Sequence, residues 1–180
     1  MSRYVALIRG INVTGNNLIK MERLRALFEK GGCTNVRTYI QSGNVVFDSK
    51  KAPTTCVASI EAFLAAELGK PIVAHLRTSA ELRAIIAANP FAKEKNIEPS
   101  RLAVSFLSRP PPKDRLDVLR AVESGSDRFV ARGNEIYVYC PDGFGRSKLA
   151  AGLDRVLSTK STSRNWNTVT TLYELAILKA

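Results

Sequence analysis

A chain of 180 residues that is 45% apolar and 24% charged has the composition of a globular protein, one domain or two small ones of about 90 residues each. Its formal net charge of +11 fits two readings equally, partners rich in phosphate (nucleic acid or a phosphorylated ligand) or solubility alone. No apolar run approaches the roughly 18 to 20 residues of a bilayer span, and "MSRYVALIRGIN" lacks the apolar length and cleavage pattern of a signal peptide. The expected setting is therefore the cytoplasm, with no membrane partner.

In chain order, "RYVALIR" (3 to 9) is apolar on both faces and predicts a central strand. "MERLRALFEKGG" then predicts a helix with Met21, Leu24, Leu27 and Phe28 on one stripe, ended by glycines. "VRTYIQSGNVVFD" reads as two short strands joined at Gly43 and Asn44, the dipeptide expected to supply positive φ in a tight hairpin. A helix from about Thr54 to Leu68 and a strand in "PIVAHLRT" complete the order βαββαβ, the ferredoxin-like pattern. A helix around Ala80 to Ala88 stops at "NP", and the polar "FAKEKNIEPSR" (91 to 101) reads as a connecting segment.

The pattern then restarts. "LAVSFLS" is a strand, "PKDRLDVLRAVES" a helix with Pro112 in its first turn, "DRFVARGNEIYVYC" a hairpin and "SKLAAGLDRVLS" a helix. Gly43-Asn44 and Gly133-Asn134 stand 90 residues apart at the same place in each βαββα run, so the architecture is duplicated. The expected fold is α+β: two ferredoxin-like halves in tandem, residues 1–90 and 91–180, with antiparallel sheets, helices on one face and an extra C-terminal helix from about Thr168 to Lys179.

Several chemistries lack support. His75 is the one histidine and reads as a sheet-edge or outer-face residue, so no His-rich metal site is expected. Cys33, Cys56 and Cys140 form no C-x-x-C pair and read as reduced thiols in or near the core. Acidic residues are scattered singly rather than paired in loops, which disfavours glycosidase-like and two-metal reactions. "DGFGRSKL" has its lysine after the serine and is not a nucleotide-binding P-loop. No cofactor is expected.

Polar chemistry gathers in three stretches. "RGINVTGNN" (9 to 17) carries Arg9 and Asn12 towards Lys20 at a helix start, where freed amides and the helix dipole can hold an anion, although without a G-x-G-x-x-G pattern a turn-rich connection is the favoured reading. "TYIQSGN" (38 to 44) places Tyr39 and Gln41 on one strand face with Ser42 framing the glycine, either a hairpin or a platform for stacking a base. Residues 143–168 set Arg146, Lys148, Arg155, Lys160 and Arg164 against Asp154 alone, with Ser147 at an N-cap position. Within the last stretch, "STSRNWNTV" holds the one tryptophan: Asn167 or Thr168 can cap the final helix and Trp166 can fix the chain's entry, leaving Arg164 and Asn165 open for ligand contact.

"LIRGINVTGNNLIKMERLRALFEKGGCTNVRTYIQSGNVVF" (7 to 47), "DGFGRSKL" (142 to 149) and "TSRNWNTVTTL" (162 to 172) resemble the bacterial family called domain of unknown function 1697, departing from its pattern at Thr14 and Thr171. The resemblance implies a bacterial, cytoplasmic, two-part α+β protein of ferredoxin-like topology and brings no activity, cofactor or catalytic residue. The leading expectation is a polyanion binder without catalysis using Lys148, Arg164 and Asn165, supported by Arg9, Asn12 and Lys20. An enzyme acting on a small phosphorylated or carboxylated substrate between the halves, with Tyr39 or Ser42 near the reacting centre, and a structural or interaction module remain alternatives.

Overall fold

The strand Ser2–Ile8 (β1) is buried from Tyr4 onward on both faces, as a run with no polar alternation requires. In the computed structural model, which describes residues 1–13, 15 and 17–178, β1 pairs with Asn44–Ser49 (β3) on one side and Ala74–Thr78 (β4) on the other, both antiparallel. Thr34–Tyr39 (β2) adds outside β3, giving the order β2-β3-β1-β4. The helices Met21–Lys30 (α1) and Pro53–Leu68 (α2) cover one face, where Leu24, Leu27, Phe28, Cys56, Ile60 and Leu64 meet Tyr4, Ala6, Ile8, Val45, Phe47 and Leu76. This is the ferredoxin-like βαββαβ unit.

The second half repeats it. Leu102–Phe106 (β5), Arg128–Arg132 (β6), Glu135–Tyr139 (β7) and Thr162–Asn165 (β8) form an antiparallel sheet in the order β6-β7-β5-β8. Lys113–Arg120 (α4) and Lys148–Leu157 (α5) bury Leu119, Leu149, Leu153, Val156 and Leu157 against Leu107, Ile136 and Val138. Each half ends in a further helix, Ser79–Ala87 (α3) after β4 and Trp166–Ile177 (α6) after β8. The C-terminal helix is thus the counterpart of α3 rather than an appendage, and Lys179, expected at its end, lies outside the described residues. The described chain forms two compact units, one of Met1–Ala84 with the described residues from Thr171 on, the other of Ile85–Thr170.

β8 has no counterpart among the expected elements. "TSRN" has no apolar alternation, because the residues it turns inward are Thr162 and Arg164. Register exposes the duplication: Arg77 of β4 lies opposite Val5 and Arg164 of β8 opposite Val104, and each guanidinium donates from Nη1 to the preceding carbonyl, Leu76 O at 2.7 Å and Ser163 O at 2.9 Å. Thr78 and Asn165, one residue later, cap the next helices. Glu81 N donates to Thr78 Oγ1 and Thr78 N to Glu81 Oε2, a capping box, while Asn167 N donates to Asn165 Oδ1 at 3.0 Å.

Three other expectations change. His75 does lie on an edge strand, but it is only 3% exposed, since the sheet face it shares with Val5, Leu7 and Arg77 is buried as well. The first hairpin turns over residues 40–43 with positive φ at Ile40 and Gly43, while Asn44 belongs to β3. Pro112 occupies the N-cap of α4 rather than its first turn. The segment 91–101 is anchored within its own unit: Arg128 pairs with Glu94 at 2.8 Å and stacks over Phe91 and Tyr139, and Tyr139 donates to Asn96 O.

Candidate functional site

In the first unit, three of the expected residues meet. Asn12, in the left-handed region at φ 53, donates from Nδ2 to Ile19 O and Gln41 O at 2.9 and 3.0 Å and accepts from Ile19 N at 2.8 Å. It therefore ties the loop after β1 to the hairpin tip, and its side chain serves the backbone. Asn17 reinforces the loop by donating to Gly10 O; Thr14 lies outside the described residues. Lys20 and Gln41 stay exposed and, with Asn12, Leu18, Ile19 and Met21, line a pocket of about 490 Å³. Lys20 precedes α1 without a side-chain cap.

Tyr39 and Ser42 flank the same hairpin, and Asn44, fully buried, donates to Tyr39 O at 3.2 Å and Ser42 Oγ at 3.0 Å. Tyr39 ends β2 while Gln41 lies in the turn, so the two do not share a strand face. Arg9 is half-buried beyond the end of β1, its backbone N–H donating to Val73 O. Ile40 takes φ 47, a left-handed conformation that a β-branched residue adopts at a cost of about 1 to 2 kcal/mol, and its side chain is half exposed.

In the second unit, Ser147 is the N-cap of α5, its Oγ accepting from Ala150 N at 2.8 Å. Lys148 opens the helix and is exposed. The preceding turn, Phe144–Arg146, follows Gly143 at φ 94, against whose Cα the Arg101 guanidinium packs so closely that a Cβ there would lie 2.7 Å from Nη1. Lys148 and Arg155 stand seven residues apart on α5, hence on one face about 10 Å along its axis. Arg146 and Lys160 precede and follow the helix in sequence, all four cations are exposed, and among the described residues none has an ion-pair partner. Asp154, the one acid of the stretch, is occupied by Ser161, whose N–H and Oγ donate to it at 2.8 and 2.6 Å.

Arg164 is 7% exposed, donates to Thr162 Oγ1 and Ser163 O, and has its pKa lowered to about 10 by burial, which leaves it a cation at neutral pH. Asn165 caps α6 and donates from Nδ2 to Ser100 O at 2.9 Å. Both residues thus have structural work, and α6 begins at Trp166, two residues before the expected Thr168. Arg101 and Arg155 were not singled out as site residues in the sequence; for Arg155 the signal was its seven-residue spacing from Lys148. Among the described residues no group of three or more His, Cys, Asp or Glu is placed to hold a metal, and no helix is long and apolar enough to cross a membrane.

A family profile described as "Protein of unknown function (DUF1697)" matches residues 1–137. A conserved bacterial protein, SP0830 from Streptococcus pneumoniae, has a similar structure with a TM-score of 0.78 at 22% identity, 98% of each chain being covered, a likeness of fold. No curated protein matches the sequence.

Proposed function

From a chain that belongs to the DUF1697 family, which brings no activity with it, we propose a binder of nucleic acid that works through phosphate contacts and without catalysis. The observation that carries this reading is the exposed basic face of α5, with Lys148 and Arg155 in line, and exposed Arg146 and Lys160 just before and after the helix in sequence. Its length of about 10 Å matches the rise of about three nucleotides of one duplex strand at 3.4 Å each. Asp154, the one acid of the stretch, accepts from Ser161 and keeps its charge, so the four cations exceed it by three. Arg164 is too buried to meet a polymer running over this surface, so the contact is assigned to the exposed cations instead.

Phosphate contacts of this kind position a strand without reading its bases, so sequence preference is expected to be weak. Fluorescence anisotropy with a labelled 20-nucleotide single strand tests the assignment. Lys148→Ala and Arg155→Ala should each weaken binding several-fold, by about 1 kcal/mol, whereas Lys70→Ala in the first unit should have no effect. Equal losses from all three variants would show that net charge alone, and not the α5 face, attracts the strand.

A further inference from the structure

We propose that the first unit carries a separate pocket for a small organic oxyanion, a carboxylate or phosphate borne on a short apolar body. The site is the open groove of about 490 Å³ beside Lys20 at the start of α1 and the hairpin tip at Gln41. This inference goes beyond the reading of α5 and rests on different residues.

The lining divides by chemistry. Among the described residues Lys20 is its one charged member and no acidic side chain lines it; Glu22, the acid of α1's first turn, is not part of the wall. Lys20 also stands at the N-cap of α1 without a side-chain cap, so its ammonium and the amides of the first turn, which have no acceptor within the helix, favour the same charge at the same end. Gln41 adds an exposed amide able to donate to an oxyanion and accept from a ligand hydroxyl.

The remaining wall is apolar. Ile19 is buried, Met21 half-buried, and Leu18 is 70% exposed, with Val13 and Ile40, each about half exposed, as sequence neighbours of the lining residues Asn12 and Gln41. Leu18 and Met21 beside the Lys20 ammonium suit a ligand with one anionic end and one apolar end. Asn12 spans the two segments with three hydrogen bonds, which hold Ile19 beside the hairpin tip at Gln41.

The test is an amide-resolved NMR titration of the full chain with hexyl phosphate, hexanoate and inorganic phosphate. Hexyl phosphate or hexanoate should saturate and shift the amides of Ile19, Met21 and Gln41, and whichever of the two binds more tightly identifies the head group. Inorganic phosphate, lacking the apolar body, should bind at least about tenfold more weakly. Lys20→Met should weaken binding about five- to tenfold, and Leu18→Asn should weaken hexyl phosphate but not inorganic phosphate. Lys148→Ala/Arg155→Ala should bind hexyl phosphate as the parent does, which keeps this site distinct from the α5 face. Non-saturating shifts spread over the exposed cations, equal affinity for inorganic phosphate, or an unchanged affinity in Lys20→Met would each overturn the proposal.

Discussion

Gly43 and Gly69 have nearly the same backbone, φ 71 and 69, yet their surroundings differ completely. A Cβ at Gly69, after the last turn of α2, would meet nothing within 4 Å. At Gly43 it would lie 2.9 Å from Ile8 O and 2.9 Å from Ile11 Cβ, the first a backbone atom at the end of the central strand and the second on a fully buried side chain. Ile8 N also donates to Gly43 O at 2.8 Å, so the strand end cannot withdraw without breaking that bond. Left-handed backbone costs alanine about 1 kcal/mol at either position, and forced overlap in a packed core adds about 1 to 3 kcal/mol at Gly43 alone. Gly69→Ala should therefore lose about 1 kcal/mol and Gly43→Ala about 3 kcal/mol. Native-state hydrogen exchange of the β1 amides reads the opening of this core directly. Losses equal to within about 0.5 kcal/mol would refute the argument that close approach, rather than torsion alone, demands glycine in "QSGN".

Asp48 accepts from Arg3 at 2.7 and 2.9 Å and from Asn35 at 2.8 Å, and the Arg3 guanidinium above all holds its pKa below the usual carboxylate range. A depressed folded-state value gives stability that is present above the unfolded value of about 3.9 and lost as pH falls through the folded one. Asp48→Asn should accordingly lose about 2 kcal/mol at pH 7, with the gap closing below about pH 4 in urea melts. Asn165→Ala should lower stability by about 1 to 2 kcal/mol through its cap and its Ser100 bond, whereas Asn167→Ala should stay within about 0.5 kcal/mol in thermal unfolding. Burial raises the Cys33 and Cys140 thiols to about 11, so at pH 8 about one thiol in a thousand is ionised. Iodoacetamide should label both at least about 100-fold more slowly in the native protein than in urea, as followed by mass spectrometry.

The architecture was legible where the hydrophobic effect writes a period. α1 and α5 bury most of the residues that their spacing picks out, and β1 is legible as an unbroken apolar run. β8 was illegible because a buried arginine and threonine hold its inward positions, and hydropathy counts both as surface residues. The repeat of an arginine followed by a helix cap, Arg77-Thr78 and Arg164-Asn165, was present in the letters, but only register shows the two pairs to be equivalent. The polar stretches were found for a sound reason, since clustered asparagine, glycine and cation are unusual, and much of that polarity serves the backbone. Asn12 closes a loop, Asn44 braces a hairpin and Asn165 caps a helix, each spending its amide on main-chain or neighbouring atoms. What remains exposed is Lys20 with Gln41 in one unit and the α5 cations in the other, a division that sequence spacing alone does not reveal.

Phosphate contact by the α5 face is tested most directly by the salt dependence of binding to the labelled single strand, for the parent and for Lys148→Ala/Arg155→Ala. Each lost contact should reduce the magnitude of the log–log slope by about 0.7, so the double variant should fall short of the parent by about 1.4. A parent that does not bind even at low salt, or a double variant whose slope equals the parent's, would contradict the account.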